Sequence, residues 1–454
     1  MLSPLADATY RRLFAAQVIA LAGTGLATVA LALLAYDLTG GEAGRVLGTA
    51  LALKMVAYVV VAPVVGGFAH RLPRRGLLVG LDVLRAAAVG CLPFVTEVWQ
   101  VYALIFVLSA GSAGFTPTFQ ATIPDILPEE RRYTRALSLS RLAYDLENLL
   151  SPTLAALALL VVSYDAFFAA NALAFLISAA LVLSTRLPAA QPQARERGVL
   201  RNIGYGLGVY LKTPRLRGLL ALSLAVSSAG AMIIVNTVVY VRERLGAGET
   251  ETAVALAAAG AGSMVIALAL PRLLDALPDR PFMLAGGGIL GAGLLVGLAA
   301  LGWWGLLALW LVLGAGLSLV QTPAGRLLRR SALDADRPAV FAAQFALSHG
   351  CWLIAYPLAG WLGLSAGFAV LALVALVATA AAAFLWPAGD PVELEHHHAA
   401  HDHEHLHVHD EHHQHDHEGW EGPEPHAHPH RHAAVTHRHT YVIDLHHPVW
   451  PTRV

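Results

Sequence analysis

The feature that most constrains this chain is a succession of apolar runs, each about twenty residues long, separated by short polar turns. A helix of that length spans the hydrocarbon core of a bilayer. Backbone placed in lipid must satisfy its polar groups within itself, so runs of this kind fold as helices. Twelve windows qualify. Six precede a polar stretch: 13–38, 46–68, 77–95, 101–123, 136–162 and 166–185. Six follow it: 216–241, 253–274, 282–301, 303–319, 339–362 and 363–386. Composition agrees, with 56% hydrophobic and 13% charged residues, where a soluble domain carries about a quarter charged. The only cysteines, Cys91 and Cys351, both lie inside apolar runs and imply no disulfide framework. Met1–Arg12 lacks a cleavable signal pattern, so the first run reads as the first span. No basic patch with interleaved aromatics points to nucleic acid.

The stretch 188–214, rich in Arg, Pro and Gln, divides the chain into a first bundle (1–187) and a second (215–387), with a polar tail at 388–454. Twenty-one Arg and Lys fall on the N-terminus, the even-numbered turns and the central linker, against three on the odd-numbered turns. The positive-inside rule then places both termini in the cytoplasm. The two halves also repeat. Gly66 through Arg75 recurs in degraded form as Pro271 through Arg280, offset by 205; Thr116-Pro117 recurs as Thr322-Pro323, and Pro152 as Pro357. Three matches near one spacing argue for a duplicated six-span unit, an architecture that places a transport site between halves.

Ionisable groups inside the spans cost several kcal/mol unless paired or facing a polar cavity, so each is a site hypothesis. The fifth span holds Arg141, Asp145, Glu147 and Asn148. Asp145 follows Arg141 by four residues and shares its face, whereas Glu147, two residues on, falls on the other side. The alternative is that these charges only hold helices together. The eleventh span holds Gln344, Ser348, His349 and Cys351, and the repeat sets His349 opposite Tyr144, at the depth of Asp145. Asp145 and His349 are thus expected to hold a divalent metal or relay a proton together, against the plainer reading of His349 as a satisfied core residue. Asn236, Lys54 and Gln321 are expected to line the cavity. Asp82 and Arg85 are expected to pair structurally, and Asn171 to bond helix to helix.

After Pro387 the composition changes, and 20 of the 22 histidines fall from His396 onward. The tract His396, His397, His398, His401, His403, His405, His407, His409, His412, His413, His415 and His417, laced with Asp and Glu, is low-complexity and reads as disordered. Neutral imidazoles beside carboxylates suit nickel, copper, zinc or cobalt, and protons compete for them below about pH 6. A solvated tail or purification tag is the bland reading, and the second histidine cluster, His426 to His439, argues against a tag.

The Gly66–Arg75 turn resembles the signature between the second and third helices of the major facilitator superfamily, with His70 in its Asp slot and Pro73 in its Gly slot. The resemblance implies an all-α membrane protein: twelve transmembrane helices in two pseudo-symmetric six-helix halves, followed here by the His-rich tail. It also implies that Gly66, His70, Arg71, Arg74, Arg75 and Asp275 form a conformational-switch loop, pH-sensitive if His70 titrates there. Longer stretches, Gln120–Asp125, Tyr133–Glu147 and Arg326–Trp361, resemble bacterial nickel-resistance exporters. That closer resemblance implies efflux of Ni2+ against protons from a bacterial inner membrane, with a tail that gathers metal. It implies no enzyme activity, and no cofactor beyond the transported or tail-bound ion. The metal's identity rests on the resemblance alone. A drug or siderophore exporter with a regulatory tail is the nearest rival, and a non-transporting membrane metal sensor is a third. Oligomeric state leaves no mark on the sequence.

Overall fold

The computed structural model describes residues 3–39, 43–69, 72–188, 199–299, 301–334, 336–390, 394–398, 401–407, 426–432, 435–439, 441–443, 447 and 450–451. The first half is six helices: α1 (Ala8–Thr39), α2 (Ala43–Phe68), α3 (Arg74–Cys91), α4 (Val98–Ile126), α5 (Glu130–Ala158) and α6 (Asp165–Leu183). A short helix, α7 (Val199–Lys212), lies within the segment expected to be a plain linker. The second half is α8 (Pro214–Val239), α9 (Glu249–Leu274), α10 (Asp279–Val296), α11 (Trp303–Arg329), α12 (Arg337–Trp361) and α13 (Gly363–Leu385).

Ten of these helices are long and apolar enough to cross a membrane. The other two of the twelve, α5 and α10, pack within the same halves. Polar and charged residues at one end of each, with Arg141, Asp145 and Glu147 inside α5, make these two less apolar than the rest. The 18 residues of α10 still reach about 27 Å, close to the hydrocarbon thickness. The expected windows coincide with the helices but stop short where a helix runs on into charged sequence, as α11 does past Leu319 through Arg326 to Arg329. Helical hydrogen bonding continues there because the added turn meets partners across the molecule.

In lipid, helices associate through close packing rather than by hiding from water. Gly262 of α9 and Gly314 of α11 show why small residues sit at such contacts. A Cβ built on either would lie 1.8 Å from a carbonyl oxygen of the other helix, Leu311 or Ala259, so the backbones touch. The repeat survives in three dimensions, since Pro117 and Pro323 both lie inside their helices, α4 and α11. Large exposed aromatics Phe94, Trp99, Trp304 and Trp361 ring the end away from the arginines, where an interfacial belt belongs.

The seam between halves is formed chiefly by α2 against α12 and α5 against α9, with α7 resting on both α2 and α12. Past α13, the backbone forms two antiparallel ladders, β1 (Leu394–His398) with β4 (Val435–His439) and β2 (His401–His407) with β3 (His426–His432). His409, His412, His413, His415 and His417 lie outside the described residues.

Candidate functional site

Arg141 stands at the middle of the seam. Its Nη2 is 2.9 Å from Asp145 Oδ1, the expected i,i+4 pair on α5. Its Nε donates to Ser263 Oγ of α9 at 2.9 Å, and its Nη1 donates to Gln321 Oε1 of α11. One guanidinium from the first half is thereby bonded to two helices of the second. The fork of an arginine suits this, because its donors diverge in one plane and a lysine would offer a single point charge.

Glu147 occupies the other flank of α5, as its spacing from Asp145 requires. Its Oε1 lies 3.0 Å from where a Cβ on Gly25 of α1 would stand, and its carboxylate is within electrostatic reach of Lys54 on α2. Lys54 Nζ lies 5.6 Å from the Tyr58 ring centroid. Tyr58 in turn meets His349 edge-on at 4.7 Å and Phe345 at 5.1 Å, so α2 and α12 share an aromatic patch across the seam. His349 Nδ1 lies 2.7 Å from the carbonyl of Phe345. A carbonyl only accepts, which puts the proton of a neutral ring on Nδ1 and the lone pair on Nε2. The same Lys54 acts electrostatically on His349.

The expected pairing of Asp145 with His349 is not formed. Asp145 faces α9 and α11 through Arg141, whereas His349 faces α2, so equal depth along equivalent helices does not bring the two side chains into one site. Two other residues of α12 also leave the pathway. Gln344 accepts a hydrogen bond from Tyr210 of α7 and lies 3.5 Å from Ser223 of α8, and Cys351 is buried on that same face. At 100° per residue, positions 344 and 351 fall well over a quarter turn from 349. Asn236 is likewise no cavity residue: its Nδ2 donates to the Ala359 carbonyl at 2.9 Å, a helix-to-helix bond. Asp82 and Arg85 pair inside the first half as expected, with Ser178 donating to Asp82 at 2.7 Å. The side chain of Asn148 and residues His70 and Arg71 lie outside the described residues.

The arginine-rich end is closed by polar contacts between halves. Asp125, at the end of α4, accepts from Arg74 of its own half and from Arg337 of the other, the latter at 2.6 Å. Arg337 also reaches Asp334 at 2.5 Å. Arg326 of α11 joins Glu130 of α5 at 2.5 Å and Asp279 of its own half at 3.3 Å. Tyr133 donates to the Gly325 carbonyl at 3.2 Å, and Arg329 to that of Pro128. Gly66 lets α2 approach α12 here, because a Cβ on it would lie 2.5 Å from the Cβ of Ala342. Three ion pairs join the halves at this end: Arg131 with Asp275, Glu130 with Arg326, and Asp125 with Arg337. Of the expected switch residues, Arg74 holds Asp125, Arg75 lies 3.5 Å from the Thr185 carbonyl, and Asp275 lies 3.6 Å from Arg131. The last pair is worth little, since Arg131 is 65% exposed and solvent screens it. Asp125 is only 12% exposed, between two arginines at 10% or less, and carries the closure.

Sequence reasoning missed Tyr58, Ser263 and the Asp125–Arg337 pair. Tyr58 had a local signal, four residues after Lys54 on one helix face. Ser263 and Arg337 had none, because only the fold sets them opposite α5 and α4. No group of three or more His, Cys, Asp or Glu side chains capable of holding a metal occurs among the described residues.

A family model described as the Major Facilitator Superfamily matches residues 13–275 and 220–422. Macrolide efflux protein A of Streptococcus pyogenes is 28% identical over 215 residues, covering 46% of this chain and 52% of that protein. Its namesake in Enterococcus faecalis is 30% identical over 186 residues, covering 38% of this chain and 57% of that protein. The chain therefore spans about half the length of these relatives. Among solved structures, a human organic anion transporter superposes with a TM-score of 0.71 at 13% identity, covering 82% of this chain and 98% of that one. A bacterial homologue of the iron transporter ferroportin, outward-facing, gives 0.68 at 15% identity, covering 83% and 98%. Similarity at those identities concerns the fold.

Proposed function

Because the chain belongs to the Major Facilitator Superfamily, we propose that it is a secondary active exporter whose solute is an organic, drug-like compound admitted at the seam between halves. The observation that carries this reading is the patch of Tyr58, Phe345 and His349 with Lys54 beside it. Aromatic faces and one cation suit an amphiphilic solute better than a small, strongly hydrated metal ion. Asp145, the acid best placed to hold a metal, is already bonded to Arg141. The similarity to proteins named for macrolide efflux supports the same class of solute. In this reading the arginine-rich end faces the cytoplasm of a bacterial cell and is shut in the present state. Glu147, in reach of Lys54, is the carboxylate that exchanges a proton during the cycle.

A second reading, export of a divalent metal such as nickel, is favoured by the histidine-rich tract. The two efflux proteins with sequence similarity are named for macrolides rather than a metal, and the likeness to the ferroportin homologue, at 15% identity, concerns the fold. Transport into inverted vesicles, comparing a macrolide and a lipophilic dye with Ni2+, Co2+ and Zn2+ under an imposed proton gradient, decides between them. Uptake of macrolide or dye that falls when Tyr58→Ala is introduced supports the first reading. Uptake of metal alone, lost in the Asp145→Asn, His349→Ala double variant, replaces it with the second.

A further inference from the structure

Two turns that are counterparts in the repeat meet at the arginine-rich end, α4–α5 of the first half and α11–α12 of the second. Around the first stand Asp125, Pro128 and Glu130; around the second stand Arg326, Arg329 and Arg337. Arg326 meets Glu130, Arg329 donates to the Pro128 carbonyl, and Arg337 meets Asp125. Residues 330–336 carry the chain from α11 to α12 between these arginines. Such a turn has many conformations, and three side chains aimed at one partner need it fixed in one of them.

What fixes it lies far away in sequence. Arg215, at the start of α8, is 1% exposed. Its Nε donates to Ser331 Oγ at 2.8 Å and its Nη2 to the Arg330 carbonyl at 3.2 Å, so one guanidinium grips two consecutive residues of the turn. The same Nη2 donates to the carbonyl of Tyr441, just after the histidine-rich stretch, at 2.9 Å. Its Nη1 lies 3.3 Å from Oδ1 of Asp390, just before that stretch, and Arg330 holds the other oxygen of Asp390 at 2.8 Å. The Trp450 ring covers the Arg215 guanidinium at 4.8 Å and meets the Tyr441 ring edge-on at 5.1 Å.

The far end of the turn bears on the same segment. Tyr205 of α7 donates to Asp336 Oδ2 at 3.0 Å, and its hydroxyl lies 3.4 Å from the Ile443 carbonyl. Tyr441, Val442 and Ile443 are buried there. A buried guanidinium left short of acceptors is costly, so these contacts hold or separate as a unit. We propose that Arg215 and the segment 441–450 are positioning elements for closure: they set the α11–α12 turn so that Arg326, Arg329 and Arg337 reach the α4–α5 turn. Release of the segment then favours opening at this end. The inference rests on the family membership of the chain and is independent of which solute is exported.

Electron–electron double resonance between spin labels at Glu129→Cys and Leu277→Cys reads the opening without a transport assay. Both positions are exposed, one in each half, and they flank the contact of Arg131 with Asp275. The full chain, with Cys91 and Cys351 changed to Ser, is measured in lipid nanodiscs. Deleting residues 441–454 is expected to raise the ratio of long to short separations about 5–150-fold. The deleted stretch, added back as a free peptide at saturating concentration, lowers the ratio again. Arg215→Met raises it in the same way, and the deletion keeps the test decisive where that variant does not fold. Gly297→Ala crowds the Phe368 ring inside the second half, so it lowers the melting temperature and leaves the ratio unchanged. An unchanged ratio in the folded deletion overturns the proposal. So does a rise that the peptide leaves in place, or an equal rise in Gly297→Ala, which would make the effect a general loosening of the second half.

Discussion

Replacing Gly66 by Ala tests whether the α2–α12 contact holds the arginine-rich end shut. The added Cβ stands 2.5 Å from Ala342 Cβ and 3.3 Å from the Pro338 carbonyl. Carbon atoms in ordinary contact are about 3.5–4.0 Å apart, so the helices must part by about 1.0–1.5 Å. Overpacking of this kind costs about 1–3 kcal/mol. The cost falls on the closed arrangement alone, since parting α2 from α12 removes the clash. The equilibrium then moves about 5–150-fold toward opening at this end. Leu137 reports the movement, because it packs across the seam against Gly325. In a chain with Cys91 and Cys351 replaced by Ser, Leu137→Cys is labelled by a membrane-impermeant maleimide added on the arginine-rich side. Gly66→Ala is expected to raise the labelling rate within that range. Adding Ala342→Gly removes the nearest atom and returns the rate to that of the parent. Unchanged labelling in folded Gly66→Ala protein, or a rise that Ala342→Gly leaves in place, refutes the reasoning.

Asp125→Asn removes the charge shared by Arg74 and Arg337, and leaving those buried arginines short of a partner costs about 3–5 kcal/mol. A lowered melting temperature together with faster Leu137→Cys labelling is the expected result, and melting alone would deny Asp125 a part in closure. Arg141→Met strands Asp145 at 5% exposure, so it destabilises by a similar amount, and adding Asp145→Asn recovers part of the loss in a thermal-shift assay. Arg131→Gln, at an exposed pair, changes stability by less than about 1 kcal/mol in the same assay. A chain ending at Pro387 loses Asp390 and the docked chain end from buried Arg215. It therefore melts below a chain in which only residues 394–439 are replaced by a short flexible linker, and equal melting of the two would remove Arg215 as the anchor.

Apolar runs of one length in two groups of six were enough to read twelve helices in two repeated halves. In a bilayer that choice is local, because each helix satisfies its own backbone and needs no partner to form. The Arg141–Asp145 and Asp82–Arg85 pairs were legible for the same reason, being set by the turn of a single helix. What side chains meet across helices was not local. Asp145 and His349 stand at corresponding depths, yet the rotation of α5 and α12 about their axes turns one toward α9 and α11 and the other toward α2. Rotation is decided by packing, down to glycines such as Gly66, Gly262 and Gly314 that let particular backbones touch. Only the assembled bundle therefore gave Asp125 its second arginine and set Tyr58 against His349. It also joined the two ends of the histidine stretch at Arg215, residues more than 170 positions apart from it along the chain that share a site because the helices between them fold back.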